Sequence, residues 1–98
     1  FIANSGDGAD TVIGGAGIDT VSYSSLSNKV EIVLGDGDAQ TTVKVNGSDE
    51  DKISQIENIT SGSGDDVLSG NNLVNTIIGG SGDDTISGKG GNDNLQGG

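Results

Sequence analysis

From Ser61 to the end, the chain aligns with itself in blocks of nine: SGSGDDVLS, GNNLVNTII, GGSGDDTIS and GKGGNDNLQ. Each block opens on Gly or Ser, carries Gly mostly at its second and fourth positions, an acidic or amide residue at the sixth and an aliphatic residue at the eighth. A unit this short cannot bury an apolar face alone, so the period predicts a stacked solenoid. The last three residues of each unit alternate as x-aliphatic-x, the period of a short strand. The six before them read as a turn in which glycine lets the backbone take left-handed conformations and approach a ligand closely. One nonapeptide is then half a coil, and turns on one edge recur every eighteen residues.

The unit G-G-x-G-x-D-x-U-x resembles the RTX family, the calcium-binding nonapeptide repeats of secreted bacterial proteins. GGAGIDTVS (Gly14 to Ser22) and GGSGDDTIS (Gly79 to Ser87) match every defined position. SGDGADTVI (Ser5 to Ile13) and SGSGDDVLS (Ser61 to Ser69) differ only by a first Ser, and GKGGNDNLQ (Gly88 to Gln96) by Lys89. GNNLVNTII (Gly70 to Ile78) is degenerate, with Leu73 in a glycine position and Asn75 in that of the Asp. The resemblance implies an all-β fold, a parallel β-roll of calcium-binding repeats. Residues 1–22 and 61–98 would be its N-terminal and C-terminal repeats, flanking a β-hairpin-like insert over 23–60 within one continuous solenoid domain.

Within that insert, Val30, Ile32 and Leu34 alternate as a strand, and Gly35 to Asp38 reads as a turn. Thr41 to Val45 is a second strand antiparallel to the first, and Asn46-Gly47 opens another turn. Ser48 to Lys52 is acidic and reads as solvated. Counting back from Ser61 puts Glu57 at the Asp position and Ile59 at the aliphatic one, so the roll restarts one coil early. Val12, Val21, Leu68, Ile77, Ile86 and Leu95 are the expected inward residues. The strand at Val21 is expected to run on through Tyr23, and Phe1 to Asn4 to belong to a strand of a preceding coil.

Calcium takes six to eight oxygens, which two stacked turns can supply from Asp carboxylates and glycine carbonyls. Asp66 and Asp84 stand eighteen apart, as do Asn75 and Asp93, with Glu57 extending the second row. The resemblance places an ion between successive turns of one edge. The expected metal residues are Asp10, Asp19, Gly62, Gly64, Asp66, Asn75, Gly80, Gly82, Asp84, Gly91 and Asp93. Binding at the Asn75 and Asp93 pair is expected to be weaker or absent. Asn28 and Gly37, eighteen beyond Asp10 and Asp19, are not ligand turns; those two Asp turns would need preceding coils or a rearranged insert. Asp7, Asp65 and Asp83 sit at variable positions and read as solvated.

Fifteen acids against four lysines give a net charge of -11. Nucleic acid and anionic membranes are therefore poor partners, and multivalent cations good ones. Low hydrophobicity with high charge predicts a disordered metal-free chain. There is no cysteine to form a disulfide or thiolate site and no histidine, so bound metal is the available staple, and an oxygen-only donor set suits calcium better than zinc or copper. No signal peptide or membrane-spanning run is present, and the 98 residues read as a piece of a longer protein.

No catalytic constellation is visible. Gly88-Lys89 lacks the Ser or Thr of a phosphate loop, and Asp36-Gly37-Asp38 lacks the obligatory glycine and bidentate acid of an EF-hand. Asn46 and Asn58 begin glycosylation sequons whose use the bacterial resemblance argues against. By resemblance, the chain would be a calcium-dependent folding and spacer module, outside the cell or on the bacterial surface, assisting type I secretion of an attached protein. Its partners would be calcium, adjacent domains of the same polypeptide and the secretion machinery. A polysaccharide-binding accessory role is the alternative; an ice-binding threonine face is broken by Asn94 and Val67.

Overall fold

The computed structural model describes residues 10–37, 39–91 and 93–97. Phe1 to Asn4 and Asp7 lie outside them. Among the described residues there are ten strands and no helix. The repeat strands are three residues long: β1 (Thr11–Ile13), β2 (Thr20–Ser22), β6 (Asn58–Thr60), β7 (Val67–Ser69), β8 (Thr76–Ile78), β9 (Thr85–Ser87) and β10 (Asn94–Gln96). In β6, β7 and β8 the aliphatic centre is buried and its neighbours are half-buried, which is the alternation that a pleated strand imposes. The insert supplies β3 (Val30–Val33), β4 (Thr41–Val45) and β5 (Ser48–Ser54).

Two sheets result. One has the order β2-β6-β8-β10 and is parallel throughout. The other has the order β1-β5-β4-β3-β7-β9, in which β4 runs antiparallel to both neighbours and the remaining pairs are parallel. Four coils therefore stack as β1/β2, β5/β6, β7/β8 and β9/β10, and β3 and β4 widen one sheet between the second and third. The all-β parallel roll with a hairpin-like insert is the observed architecture.

Nine of the twelve buried apolar residues, from Tyr23 to Ile59, belong to the insert; Val21, Leu68 and Ile77 complete the cluster. Val12 and Ile86 pack against it half-buried, whereas Leu95, expected inward, is 43% exposed. Among the described residues its strand β10 pairs on one side alone, with β8.

Two other expectations are corrected. Ser48 to Lys52 forms most of β5; Ser48, Asp49 and Lys52 are exposed, as expected of a solvated segment, but Asp51 is buried at 2% exposure. The strand pairs with β1 and β4 because Ile53 sits opposite Val12 and continues the inward row. Strand β2 also stops at Ser22; Tyr23 leaves the ladder after one more bond, from its N–H to Thr60 O, and begins a turn. Eight residues separate Ser22 from Glu31, against six between their sheet partners Thr60 and Val67. The insert's first turn thus takes the place of a repeat turn with two residues to spare.

Candidate metal centre

The sixth-position side chains from Asp51 onward reach to the backbone of the neighbouring coil on their edge. Asp84 Oδ1 accepts from the Asp66 N–H at 2.9 Å, and Asp66 Oδ1 from the Val30 N–H at 2.8 Å. On the other edge Asp93 Oδ1 accepts from Asn75 N–H at 2.9 Å, and Glu57 Oε1 from Asp19 N–H at 2.8 Å. Asp51 Oδ1 likewise accepts from Asp10 N–H at 2.9 Å. The rearranged insert thus supplies the partners of Asp10 and Asp19, through Asp51 and Glu57. Asp66 and Asp84 do lie on one edge, but their carboxylates are staggered: each is directed at the coil before its own.

One oxygen of each carboxylate makes this ladder bond. Asp19 Oδ2, Asp66 Oδ2 and Asp84 Oδ2 are buried with no hydrogen-bond partner. A buried carboxylate oxygen left unpaired costs several kcal/mol unless a cation or donor meets it. These oxygens are directed into their own turns: a Cβ placed on Gly14 would lie 2.7 Å from Asp19 Oδ2, and one on Gly79 2.5 Å from Asp84 Oδ2. The first glycine keeps that space open.

Carbonyls of the preceding turn converge from the other side. Gly62 O lies where a Gly80 Cβ would stand, Gly64 O where a Gly82 Cβ would, and Leu73 O 2.7 Å from the corresponding point on Gly91. Gly80 and Gly82 are also left-handed, with φ of 79° and 96°, so both reasons for glycine coincide there. Lys89, the departure at the second position of the last repeat, keeps the same geometry with φ 59°, a conformation that costs a side-chain-bearing residue about 1–2 kcal/mol. Gly62 and Gly64 are not among the left-handed glycines; their need is for room.

Burial pushes the Asp66 carboxyl above its usual range, and the charges of Asp84 and Asp65 push the same way. The neighbouring Ser61 and the Val30 N–H pull it down. Ser61 Oγ lies close enough to favour the charged form, yet neither it nor Asp66 Oδ2 reaches hydrogen-bond geometry. A cation at this point would offset the desolvation that disfavours the charge.

The Asn75 turn is filled differently. Asn75 is fully buried, and its Nδ2 donates to Glu57 O at 2.6 Å and to Asn71 Oδ1 at 3.1 Å. Its Oδ1, which takes the place of Asp84 Oδ2 by facing Gly70, accepts from Asn71 N–H at 3.0 Å. Asn71 Nδ2 donates to Gly35 O, and Asn72 donates from its N–H and Nδ2 to the Asp36 carboxylate. Two of the departures from the motif, Asn71 at the second position and Asn75 at the sixth, therefore bind the insert. Amide groups satisfy here what is left open at Asp84.

Asp51 was missed as a row member, although Asp51-Lys52-Ile53-Ser54 repeats the D-x-U-x ending of every intact unit. Both its oxygens are engaged: Oδ2 accepts from the Tyr23 hydroxyl at 2.8 Å. Burial first, and then that bond and its charge, raise the Tyr23 phenol well above its ordinary value of 10.0. Asp65 and Asp83 are exposed, as expected of solvated positions, and are joined by Asp83 N–H to Asp65 Oδ1 at 2.8 Å.

Among the described residues no cluster of three or more carboxylates forms a cage. The donor set is instead one or two carboxylate oxygens with several carbonyls per turn pair, all hard oxygen donors, which fits calcium. Among the described residues no helix is long and apolar enough to cross a membrane.

No curated protein matches the chain at a significant level. The family model for the RTX calcium-binding nonapeptide repeat matches in four copies, over residues 3–22, 55–72 and 69–98. The second match begins ahead of Glu57, where the counted period restarts the roll. With more than half of its length so matched and the repeat geometry in place, the chain belongs to the RTX calcium-binding nonapeptide-repeat family.

Proposed function

We propose that this chain is a folding and spacer module that closes on extracellular calcium and stabilises a larger bacterial protein exported by type I secretion. The observation that carries this reading is the set of buried, unpartnered oxygens at Asp19, Asp66 and Asp84. Asp84 Oδ2, with carbonyls of the Gly62 to Gly64 segment, would hold one ion between the third and fourth coils. The Asn75 turn would hold none on its Glu57 side. Bound calcium supplies positive charge to oxygens that have no other partner, and so couples closure of the turns to the calcium concentration outside the cell. In low cytosolic calcium the carboxylates repel, which keeps the chain extended for export.

Circular dichroism in EGTA and in millimolar calcium tests this. Strand signal should rise sharply with calcium, and a spectrum unchanged by chelator would rule the reading out. The polysaccharide-binding alternative lacks support at its usual point of contact. The one tyrosine is fully buried, so among the described residues no aromatic ring is exposed for a sugar to stack on.

A further inference from the structure

Asp51 belongs to the row of sixth-position acids and makes their ladder bond, its Oδ1 accepting from Asp10 N–H. Its second oxygen is treated differently. Asp19 Oδ2 and Asp84 Oδ2 are buried without a hydrogen-bond partner, whereas Asp51 Oδ2 accepts from the Tyr23 hydroxyl at 2.8 Å. Tyr23 is 0% exposed and Asp51 2%, so the bond is closed to solvent. Residues two apart on a strand share a face. Tyr23 therefore continues the inward face of β2 after Val21, and Asp51 precedes Ile53 on the inward face of β5. The two strands lie in different sheets. The phenol thus crosses the interior and ties the first coil to the second.

An ionised carboxylate accepts and cannot donate, so when buried it needs a donor or a cation. The phenol brings a donor that is part of the chain and carries no charge. We infer that the Tyr23 hydroxyl stands in for calcium at Asp51, satisfying the oxygen an ion would otherwise meet and holding the carboxylate against Asp10 N–H. Tyr23 is then a positioning residue: it acts on the Asp10 turn through Asp51 and touches no metal. This role rests on the reading of the chain as a calcium-closed module and divides its coil contacts into two kinds. On the edge that carries Asp10, Asp51, Asp66 and Asp84, the first and second coils are joined by a donor built into the chain. The third and fourth, at Asp84, wait for an ion.

Circular dichroism of the whole chain against free calcium tests it, because the slope of log folded-to-unfolded ratio on log calcium counts the ions taken up on folding. Asp84→Asn should lower that slope by one ion. Asp51→Asn should leave it unchanged, since its Oδ1 still accepts from Asp10 N–H and its Nδ2 can donate to the phenol oxygen. Tyr23→Phe keeps the ring and removes only the donor, and should raise the calcium needed for half-folding several-fold. Adding Asp51→Asn to Tyr23→Phe should recover part of that loss, because a neutral amide without a partner costs less than a carboxylate. Should Asp51→Asn not fold, the Tyr23→Phe midpoint decides. A slope lowered by Asp51→Asn, a midpoint unmoved by Tyr23→Phe, or a double variant no better than Tyr23→Phe would overturn the role of Tyr23 and leave the module reading intact. Strand signal indifferent to calcium in the parent chain would remove both.

Discussion

The third coil presents two turns to the insert, and they meet it by opposite means. Ser61 to Asp66 retains the acidic residue and a glycine-shaped gap, and leaves oxygens facing oxygens. Asn71 to Asn75 has given up both glycine and Asp, and its amides carry their own donors to Glu57 O, Gly35 O and Asp36. An amide brings a donor and an acceptor on one group, whereas a carboxylate brings acceptors alone and must borrow positive charge. One turn therefore satisfies its buried polar groups from within the chain, and the other leaves Asp66 Oδ2 without a hydrogen-bond partner. The degenerate repeat is a junction rather than a decayed copy.

The sharpest way to break this contrast is to remove the amide. Asn75→Ala leaves Glu57 O and Asn71 N–H buried without partners, and should cost about 2 to 6 kcal/mol in saturating calcium, read by urea unfolding. A loss near zero would mean that the amide network contributes nothing. Next comes Asn75→Asp, which restores the family's residue but sets carboxylate oxygen against Glu57 O. With Asn71 still filling the turn it should destabilise by about 3 kcal/mol and add no bound ion by equilibrium dialysis; one extra ion per chain would show that the turn differs from its neighbours in charge alone. On the carboxylate side, Asp84→Asn keeps the acceptor for Asp66 N–H and removes the charge. It should cost about 2 kcal/mol in millimolar calcium if the site has an affinity of about 0.1 mM, and close to nothing in chelator.

The smallest effect is optical. Because folding raises the Tyr23 phenol above 10.0, its stabilising contribution is intact below that pH and is lost as pH climbs through the folded value. If the insert and the amide junction stand without metal, tyrosinate absorbance should appear only well above pH 10.0 in EGTA and in calcium alike. Tyrosinate appearing at the ordinary pH in EGTA would place Tyr23 on the calcium-dependent side of the contrast.

Much of the roll was legible because glycine, Asp and aliphatic positions recur at a fixed spacing that only stacked half-coils satisfy. Val21, Leu68 and Ile77 fell inward on that count, and so did the restart at Glu57. The reading of Ser48 to Lys52 as solvated holds at Ser48, Asp49 and Lys52 and fails at Asp51, where acidity was taken for exposure. Asp51 is buried with Tyr23 and Asp10 N–H to satisfy it, and a hydrogen-bonded carboxylate loses the penalty that normally keeps it at the surface. Leu95 shows the converse: an aliphatic residue at the inward position is 43% exposed in a strand paired on one side among the described residues.

What the linear chain determines by itself is the period, and with it the half-coil, the placement of acidic residues on two edges and the oxygen-only chemistry of the turns. What only the tertiary structure decides is which turns become neighbours. Asp10 meets Asp51 across 41 residues, which is no multiple of nine, and Asp66 meets Val30, at the start of a strand that no repeat motif announces. The insert turn meets the Ser61 to Asp66 turn through backbone groups, which every residue possesses and no residue type announces. Their position is set by strand register across 36 or more residues, and register is a property of the packed sheets.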